Sequence, residues 1–506
     1  MTLQQLFSEY IPYLIPRDQM QSQFLDQEVD GLFFDHRNIN NSNDTKIKNS
    51  VFFAISGINT NGHEYINQAV ESGSIALVLE NDEAVPINYQ GAVFKVTNSR
   101  IALDEIASKF YSSPSEKLFC IGVTGTNGKT SITYILEHIL NNNQKLTGVL
   151  GTVNHRIGEN IWNSQMTTPD PVTLQSRLQD FVRHRAFAAA MEISSHALDQ
   201  QRANSVQFNT VIYTNLTLDH LDYHKTMDHY FESKQKLFTD LLWASKKKPL
   251  FAIVNTDDKY GRRLKVAAPA IVWTYGQGES DFQIDIKKMD FNETVFILKN
   301  PFEDKEFKIF IPGIHTVYNV VACIIAAITC GVTMEQSAEA LLSFKGIPGR
   351  LEKIETSSDK IVFVDYAHTP DALENTIKSI RKIQKDNNLD SKLLCIFGCG
   401  GDRDKSKRPQ MAKIASENCD YVMVTSDNPR TEDPYQIIND ILSGVPTYLK
   451  NTENEIDREK AIQKMIQKAQ PKDIILIAGK GHEDYQIIGT EKKYFSDAKI
   501  VKKYLG

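Results

Sequence analysis

Short apolar runs recur along this chain, separated by stretches in which apolar residues return every third or fourth position, and that alternation predicts buried parallel strands joined by helices. Val51 to Ile55, Ile75 to Leu79 and Ala92 to Val96 form a first set, which the polar, proline-containing stretch Ser112 to Ser115 brings to an end. A second set comprises Leu118 to Ile121, Phe187 to Met191, Val211 to Thr214 and Phe251 to Val254. A polar, β-rich stretch from Phe282 to Phe310 reads as an antiparallel extension, and the apolar helix Val320 to Ile328 closes this segment. After a glycine-bounded linker, Gly346 to Gly349, come Ile361 to Val364, Leu393 to Phe397, Tyr421 to Thr425 and Ile474 to Ile477, again with helical pattern between them. The expected fold class is α/β in three domains, 1–112, 113–348 and 349–506, the central one with a doubly wound, mainly parallel sheet. In such sheets ligands gather at the carboxyl ends of the strands.

The residues from Gly122 to Ser131 stand at such an end. The apolar strand runs into Gly125-Thr126-Asn127-Gly128-Lys129-Thr130, and a helix is predicted over Ile132 to Leu140. A glycine-rich turn between strand and helix presents backbone N–H groups and a positive helix end to phosphate oxygens. Lys129 reaches the terminal phosphates of a nucleotide and Thr130 serves magnesium in this reading. Val123 occupies the place where the commonest pattern has a glycine, so the loop is a variant form.

Composition narrows the partners. At 506 residues the chain suits about one domain per 150 residues. A net charge of −6 and a sequence pI near 6.1 provide no field that would recruit nucleic acid. No apolar stretch approaches the roughly 20 residues that span a bilayer, and an N-terminus with Glu9 and no basic leader predicts a cytoplasmic protein without membrane insertion. Cys120, Cys323, Cys330, Cys395, Cys399 and Cys419 sit mainly in apolar runs without a Cys-x-x-Cys pair, which predicts reduced, buried thiols rather than zinc or disulfides.

Polar clusters follow the central strands. Glu192 to His196 begins with a carboxylate placed as a magnesium ligand, Thr214 to His224 is dense in Asp219, His220, Asp222 and His224, and Asn255 to Asp258 offers an amide for an adenine edge. Lys234 lies at helical spacing from Tyr230 just beyond the histidines. In the last segment Gly398 to Lys405, Asp427-Asn428-Pro429-Arg430 and Gly479-Lys480-Gly481-His482-Glu483 each follow a strand. Three charged loops at successive strand ends suggest one polar substrate site, with an arginine able to fork onto a carboxylate.

These clusters, with Asp365-Tyr366-Ala367-His368-Thr369-Pro370, occur in the order found in the Mur ligases, and from about residue 50 onward the chain resembles that family. The resemblance implies an N-terminal domain that binds a UDP-muramoyl substrate, a central ATPase domain and a C-terminal Rossmann-like domain for the incoming amino acid. It implies ATP contacts at Gly125 to Thr130, Asn255, Arg350 and Asp365; magnesium ligands at Thr130, Glu192 and His220; and a carbamylated Lys234 serving as a further ligand. Lys129, Glu192, His220 and Lys234 are then the catalytic set. Asn59, Thr167, Thr168, Ser194, Gln200 and Arg202 match residues that hold the muramoyl dipeptide. Arg403, Asp427 to Arg430, Gly479 and Glu483 match a diaminopimelate site. The chain departs from the family pattern at His36, where serine is common; at Asn61, where aspartate precedes Gly62-His63; at Met166, in place of asparagine; and at His315-Thr316, in place of Phe-Asn.

The implied activity is addition of meso-diaminopimelate to UDP-N-acetylmuramoyl-L-alanyl-D-glutamate by a monomeric cytoplasmic ligase using ATP and magnesium. Rival readings are an L-lysine-adding ligase of the same family, an enzyme like folylpolyglutamate synthetase, or a nucleotide-gated binding protein without catalysis. The N-terminal domain and Asp427 to Arg430 speak against the second, and Glu192, His220 and Lys234 against the third.

Overall fold

The computed structural model describes residues 1–16, 22–38, 48–57 and 60–506. Two compact units contain them: Met1–Thr133, Leu140–Leu216 and His220–Trp273 in the first, and Tyr134–Ile139, Thr217–Asp219 and Thr274–Gly506 in the second.

In the first unit Gly31–Phe33, Ser50–Phe53, Ser74–Leu79 and Ala92–Lys95 pair in that order as an all-parallel sheet. Helix Ser99–Phe110 packs beside it, started by Asn98, whose side chain accepts from the amides of Arg100 and Ile101. A second sheet places its parallel strands in the order Phe251–Asn255, Thr210–Tyr213, Phe119–Thr124, Ala188–Glu192 and Thr147–Leu150. These strands are apolar on both faces, as a parallel sheet covered by helices requires. The register sets Thr124 beside Tyr213, Tyr213 beside Val254 and Val123 beside Glu192, so the three polar clusters leave the sheet at one edge. Helix Lys129–Asn142 starts three residues earlier than its apolar pattern, because the first turn is the polar Lys129-Thr130-Ser131. An antiparallel hairpin, Asn154–Ile157 with Asn160–Asn163, adds an edge that the hydrophobic pattern did not reveal.

In the second unit the stretch from Phe282 onward is the expected antiparallel ribbon, Phe282–Met289, Thr294–Lys299 and Lys305–Ile309. Helix Ile314–Thr329 follows, longer at its start than predicted. A six-stranded sheet orders Glu352–Lys353, Ile361–Asp365, Ile474–Ala478, Leu393–Phe397, Tyr421–Val424 and Thr452–Asn454; its first pairing is antiparallel and the rest are parallel. The four predicted strands are its centre. The two edges are short and polar. All six cysteines are buried and unbridged, as their apolar settings predict. No helix among the described residues is long and apolar enough to cross a membrane.

Candidate active site

The phosphate loop leaves strand Phe119–Thr124 through Gly125 at φ +148° and enters its helix through Gly128 at φ +92°. Both angles favour glycine. A Cβ on Gly125 would come within 1.8 Å of the Thr214 hydroxyl, so the loop is seated tightly on the neighbouring strand end. That hydroxyl donates to the Asn127 carbonyl at 2.6 Å; the Asn215 carbonyl and side-chain oxygen accept from the amides of Thr126 and Asn127 at 2.8 and 3.0 Å. Asn255 stands behind this brace, its amide donating to the Thr214 carbonyl at 2.7 Å.

Two ammonium groups converge on the turn. Lys129 donates to the carbonyls of Gly125 and Thr126, each at 2.9 Å, and Lys234 donates to the Gly125 carbonyl at 2.9 Å. Lys234 is only 1% exposed and lies 4.6 Å from the centre of the Tyr230 ring. The Tyr230 hydroxyl is 3.1 Å from the Thr126 hydroxyl. A buried lysine costs free energy unless its charge is matched, which makes this position a functional candidate.

Glu192 is buried at its strand end, and its two oxygens accept from the amide and hydroxyl of Thr152, both at 2.9 Å. A Cβ at Gly151 would meet that carboxylate at 2.3 Å. Thr168 donates to the Glu192 carbonyl at 2.8 Å and accepts from the Ser194 amide at 2.9 Å, while the Thr167 and Thr152 hydroxyls lie 3.1 Å apart. Arg202 donates to the Thr168 carbonyl and to the side chain of Gln200. The dipeptide candidates Thr167, Thr168, Ser194, Gln200 and Arg202 are thereby brought together, whereas Asn59 lies outside the described residues. His220 adopts φ +55°, with its ring against those of His196 and Tyr230. Burial, and then neighbouring histidines, lower the affinity of His196 and His224 for protons, His224 to about 4.

Beside these residues is a cavity of about 620 Å³, lined among others by His36, Tyr65, Arg100, Met166, Gln200 and Arg202. His36 stacks on Tyr65 with ring centres 4.7 Å apart and planes 15° apart. Asn61 does the local work expected of an aspartate, accepting from the amide of His63 at 3.1 Å.

In the second unit Asp365 accepts from the amides of Leu351 and Ala367 at 2.6 and 2.9 Å. Burial raises its pKa, and the Arg350 guanidinium offsets part of that rise. Arg350 packs over the Tyr366 ring at 4.8 Å. Gly349 fits where a Cβ would come 2.0 Å from the His482 amide, so the linker before Arg350 is pressed onto the Gly479 to Glu483 loop. Asp427 is buried, its carboxylate 3.1 Å from the Lys480 ammonium, and the Asn428 amide donates to Glu483 at 2.9 Å. Arg430 donates to the Gly401 carbonyl at 2.8 Å. The carbonyl of Pro429 lies 1.9 Å from where a Cβ on Gly401 would be, which explains that glycine. Arg403 is exposed on the same loop. Thr152, which binds Glu192 from 40 residues away, was not singled out by the sequence; Asn215 and Lys480 lay within quoted clusters and Tyr230 at helical spacing from Lys234, but none was read as a brace.

The chain belongs to the Mur ligase family. The family model for the Mur ligase middle domain matches residues 123–327 and that for the Mur ligase, glutamate ligase domain matches 349–481. Among its relatives, the UDP-N-acetylmuramoyl-L-alanyl-D-glutamate--2,6-diaminopimelate ligase of Aquifex aeolicus is 43% identical over 92% of each chain. The protein of the same name from Geobacter sulfurreducens is 38% identical over 94% of each. A solved structure of a ligase with that name superposes with a TM-score of 0.69 at 30% identity, covering 100% of this chain and 98% of its own. A folylpolyglutamate synthase of Mycobacterium tuberculosis, complexed with ADP and AMPPCP, shares the fold at 16% identity and a TM-score of 0.60, over 75% of this chain and 92% of its own.

Proposed function

We propose that this chain is an ATP-dependent ligase that joins meso-diaminopimelate to the γ-carboxylate of the D-glutamyl residue in UDP-N-acetylmuramoyl-L-alanyl-D-glutamate, a step of peptidoglycan precursor synthesis. The observation that carries the reading is the meeting of Lys129 and Lys234 on the Gly125 carbonyl, at the strand edge where Glu192 and the dipeptide candidates also emerge. A free carboxylate is a poor electrophile. Attack of its oxygen on the γ-phosphorus of ATP gives an acyl phosphate and ADP, and the amine of diaminopimelate then forms the amide and displaces phosphate. Lys129 and the loop amides offset charge as the carboxylate nears the triphosphate, a preorganised electrostatic effect that is typically the largest catalytic term.

Thr130 and Glu192 offer the oxygen donors that suit magnesium, and because no cluster of three His, Cys, Asp or Glu occurs among the described residues, phosphate oxygens and water would complete its shell. When bound, magnesium neutralises triphosphate charge. Lys234 as a carbamate would carry negative charge at the same turn, giving its buried side chain a charged form matched to a metal; His220 stands next to it through Tyr230. The 620 Å³ cavity has the size and mixed lining for the UDP-muramoyl group. In this reading residues 1–112 hold that substrate, 113–348 bind ATP with Asn255 bracing the loop, and 349–506 bind the amino acid, with Arg350 and Asp365 on the nucleotide and the enzyme acting as a monomer in the cytoplasm.

Arg430 supplies the selectivity. Meso-diaminopimelate exceeds lysine by one carboxylate, and a half-buried guanidinium with one donor on Gly401 keeps others for that group. A charge-assisted pair of this kind contributes about 1.5–3 kcal/mol, roughly ten- to a hundredfold in preference. Arg430→Ala is expected to lose that preference with little change in KM for ATP. Unchanged preference would move the specificity elsewhere, Arg403 being the next candidate.

A further inference from the structure

Lys480 has no exposed surface, and its side chain ends among the loops that follow strands Tyr421–Val424 and Ile474–Ala478. Its ammonium lies 3.1 Å from Asp427 Oδ1 and 3.5 Å from Glu483 Oε2, and it donates to Asn428 Oδ1 at 3.0 Å and to the Tyr485 carbonyl at 2.7 Å. Asn428 is thereby fixed in orientation: its oxygen faces the lysine and the Ile487 amide, and its nitrogen faces Glu483. Two strand-end loops that are far apart in sequence, Asp427 to Arg430 and Gly479 to Glu483, are tied by this side chain and by the bond from Asn428 to Glu483. With both carboxylates ionised, two negative charges against one ammonium leave one negative charge over, the complement of a substrate ammonium.

We propose that Lys480 is a positioning residue for the amino-acid substrate: it binds Asp427 and Glu483 into a single acidic pair that receives an ammonium group of the incoming diamino acid. The proposal rests on the reading of these loops as the amino-acid site. A structural lysine would brace the loops without regard to their charge. A positioning lysine also sets the ionisation of the pair. Burial and Asp427 raise the pKa of Glu483, and Lys480 pulls it down; Tyr366, Tyr485 and Arg458 are the other titratable or charged groups around it. Removing the cation therefore moves Glu483 further up, and the amino acid is then used well only at higher pH.

In the full-length protein Lys480→Met is expected to raise KM for meso-diaminopimelate by about tenfold or more, since hydrogen bonds to a charged group are worth that much. KM for ATP is expected to stay within about twofold, and the acid limb of kcat/KM for the amino acid to move to higher pH. An unchanged KM for the amino acid with an unmoved acid limb overturns the proposal, as do equal increases in KM for all three substrates. If the methionine variant does not fold, Glu483→Gln carries the test: the same rise in KM and loss of the acid limb support the acidic pair, and an unaltered KM and limb overturn it. Wild-type turnover with meso-diaminopimelate separates the two levels. Its absence refutes the reading of the site, whereas turnover that Lys480→Met leaves intact refutes only the role of the lysine.

Discussion

Gly125→Ala tests whether the phosphate loop works because of the way it is seated. The added Cβ meets the Thr214 hydroxyl at 1.8 Å and the backbone of Asn215 at 3.1 Å, at a φ of +148° that side chains rarely adopt. Holding a non-glycine residue in such a conformation costs about 1–3 kcal/mol. Displacing the Thr214 hydroxyl also breaks its 2.6 Å bond to the Asn127 carbonyl, a loss of about 1 kcal/mol. Together these come to about 2–4 kcal/mol, roughly thirty- to a thousandfold in turnover if the strain falls on the ATP-bound state. ATP-dependent phosphate release, measured with the thermal midpoint as a control for folding, reads the effect. Adding Thr214→Ala removes the clash but restores neither the backbone conformation nor the bond to Asn127, so the double variant should stay within about threefold of Gly125→Ala and well below Thr214→Ala alone, which loses only the bond, about fivefold. Turnover of Gly125→Ala within about twofold of wild type refutes the argument, and so does a double variant restored to the level of Thr214→Ala alone.

Lys129→Ala should abolish turnover, with the fall in kcat exceeding any change in muramoyl-substrate binding, and near-normal kcat in steady-state assays would remove the site. Lys234→Ala should be nearly inactive and partly restored by acetate or formate, which supply carboxylate oxygens; full activity in bicarbonate-free buffer would refute the carbamate. His155 is buried, neither ring nitrogen has a hydrogen-bond partner, and burial, with Arg177 adding to it, pushes its pKa from 6.5 down to about 4. Because the unfolded chain takes up this proton first, stability falls as pH drops from about 6.5 to about 4. His155→Leu should flatten that slope and raise the urea midpoint at pH 5, whereas an unchanged slope would show that the histidine plays no part.

Four of the five parallel strands in the first unit's larger sheet and the four central strands of the second unit's were legible because each is an apolar run buried on two faces, and the polar clusters that follow them marked the edge of the candidate site; Thr147–Leu150, equally buried but only four residues long with Thr and Gly at its start, was missed. Edge strands such as Thr452–Asn454 and the hairpin from Asn154 to Asn163 were not legible, since short polar strands carry no periodic signal of their own. Gly125 and Lys129 were singled out by their motif, and Lys234 by the family resemblance rather than by its spacing. Their braces were not: Thr152 reaches Glu192 and Asn215 reaches Asn127 across the sheet, and pairings of this kind depend on register, which one sequence does not display. Asn255 shows the limit of motif reading. It follows its strand as expected, yet its amide donates to the Thr214 carbonyl, behind the loop.

The central claim is tested most directly by release of phosphate from ATP with each co-substrate added in turn. The account predicts rapid release only when UDP-N-acetylmuramoyl-L-alanyl-D-glutamate and meso-diaminopimelate are both present, together with a product heavier than the nucleotide substrate by one diaminopimelate less one water. Release that ignores the diamino acid, or equal catalytic efficiency with L-lysine, would contradict it.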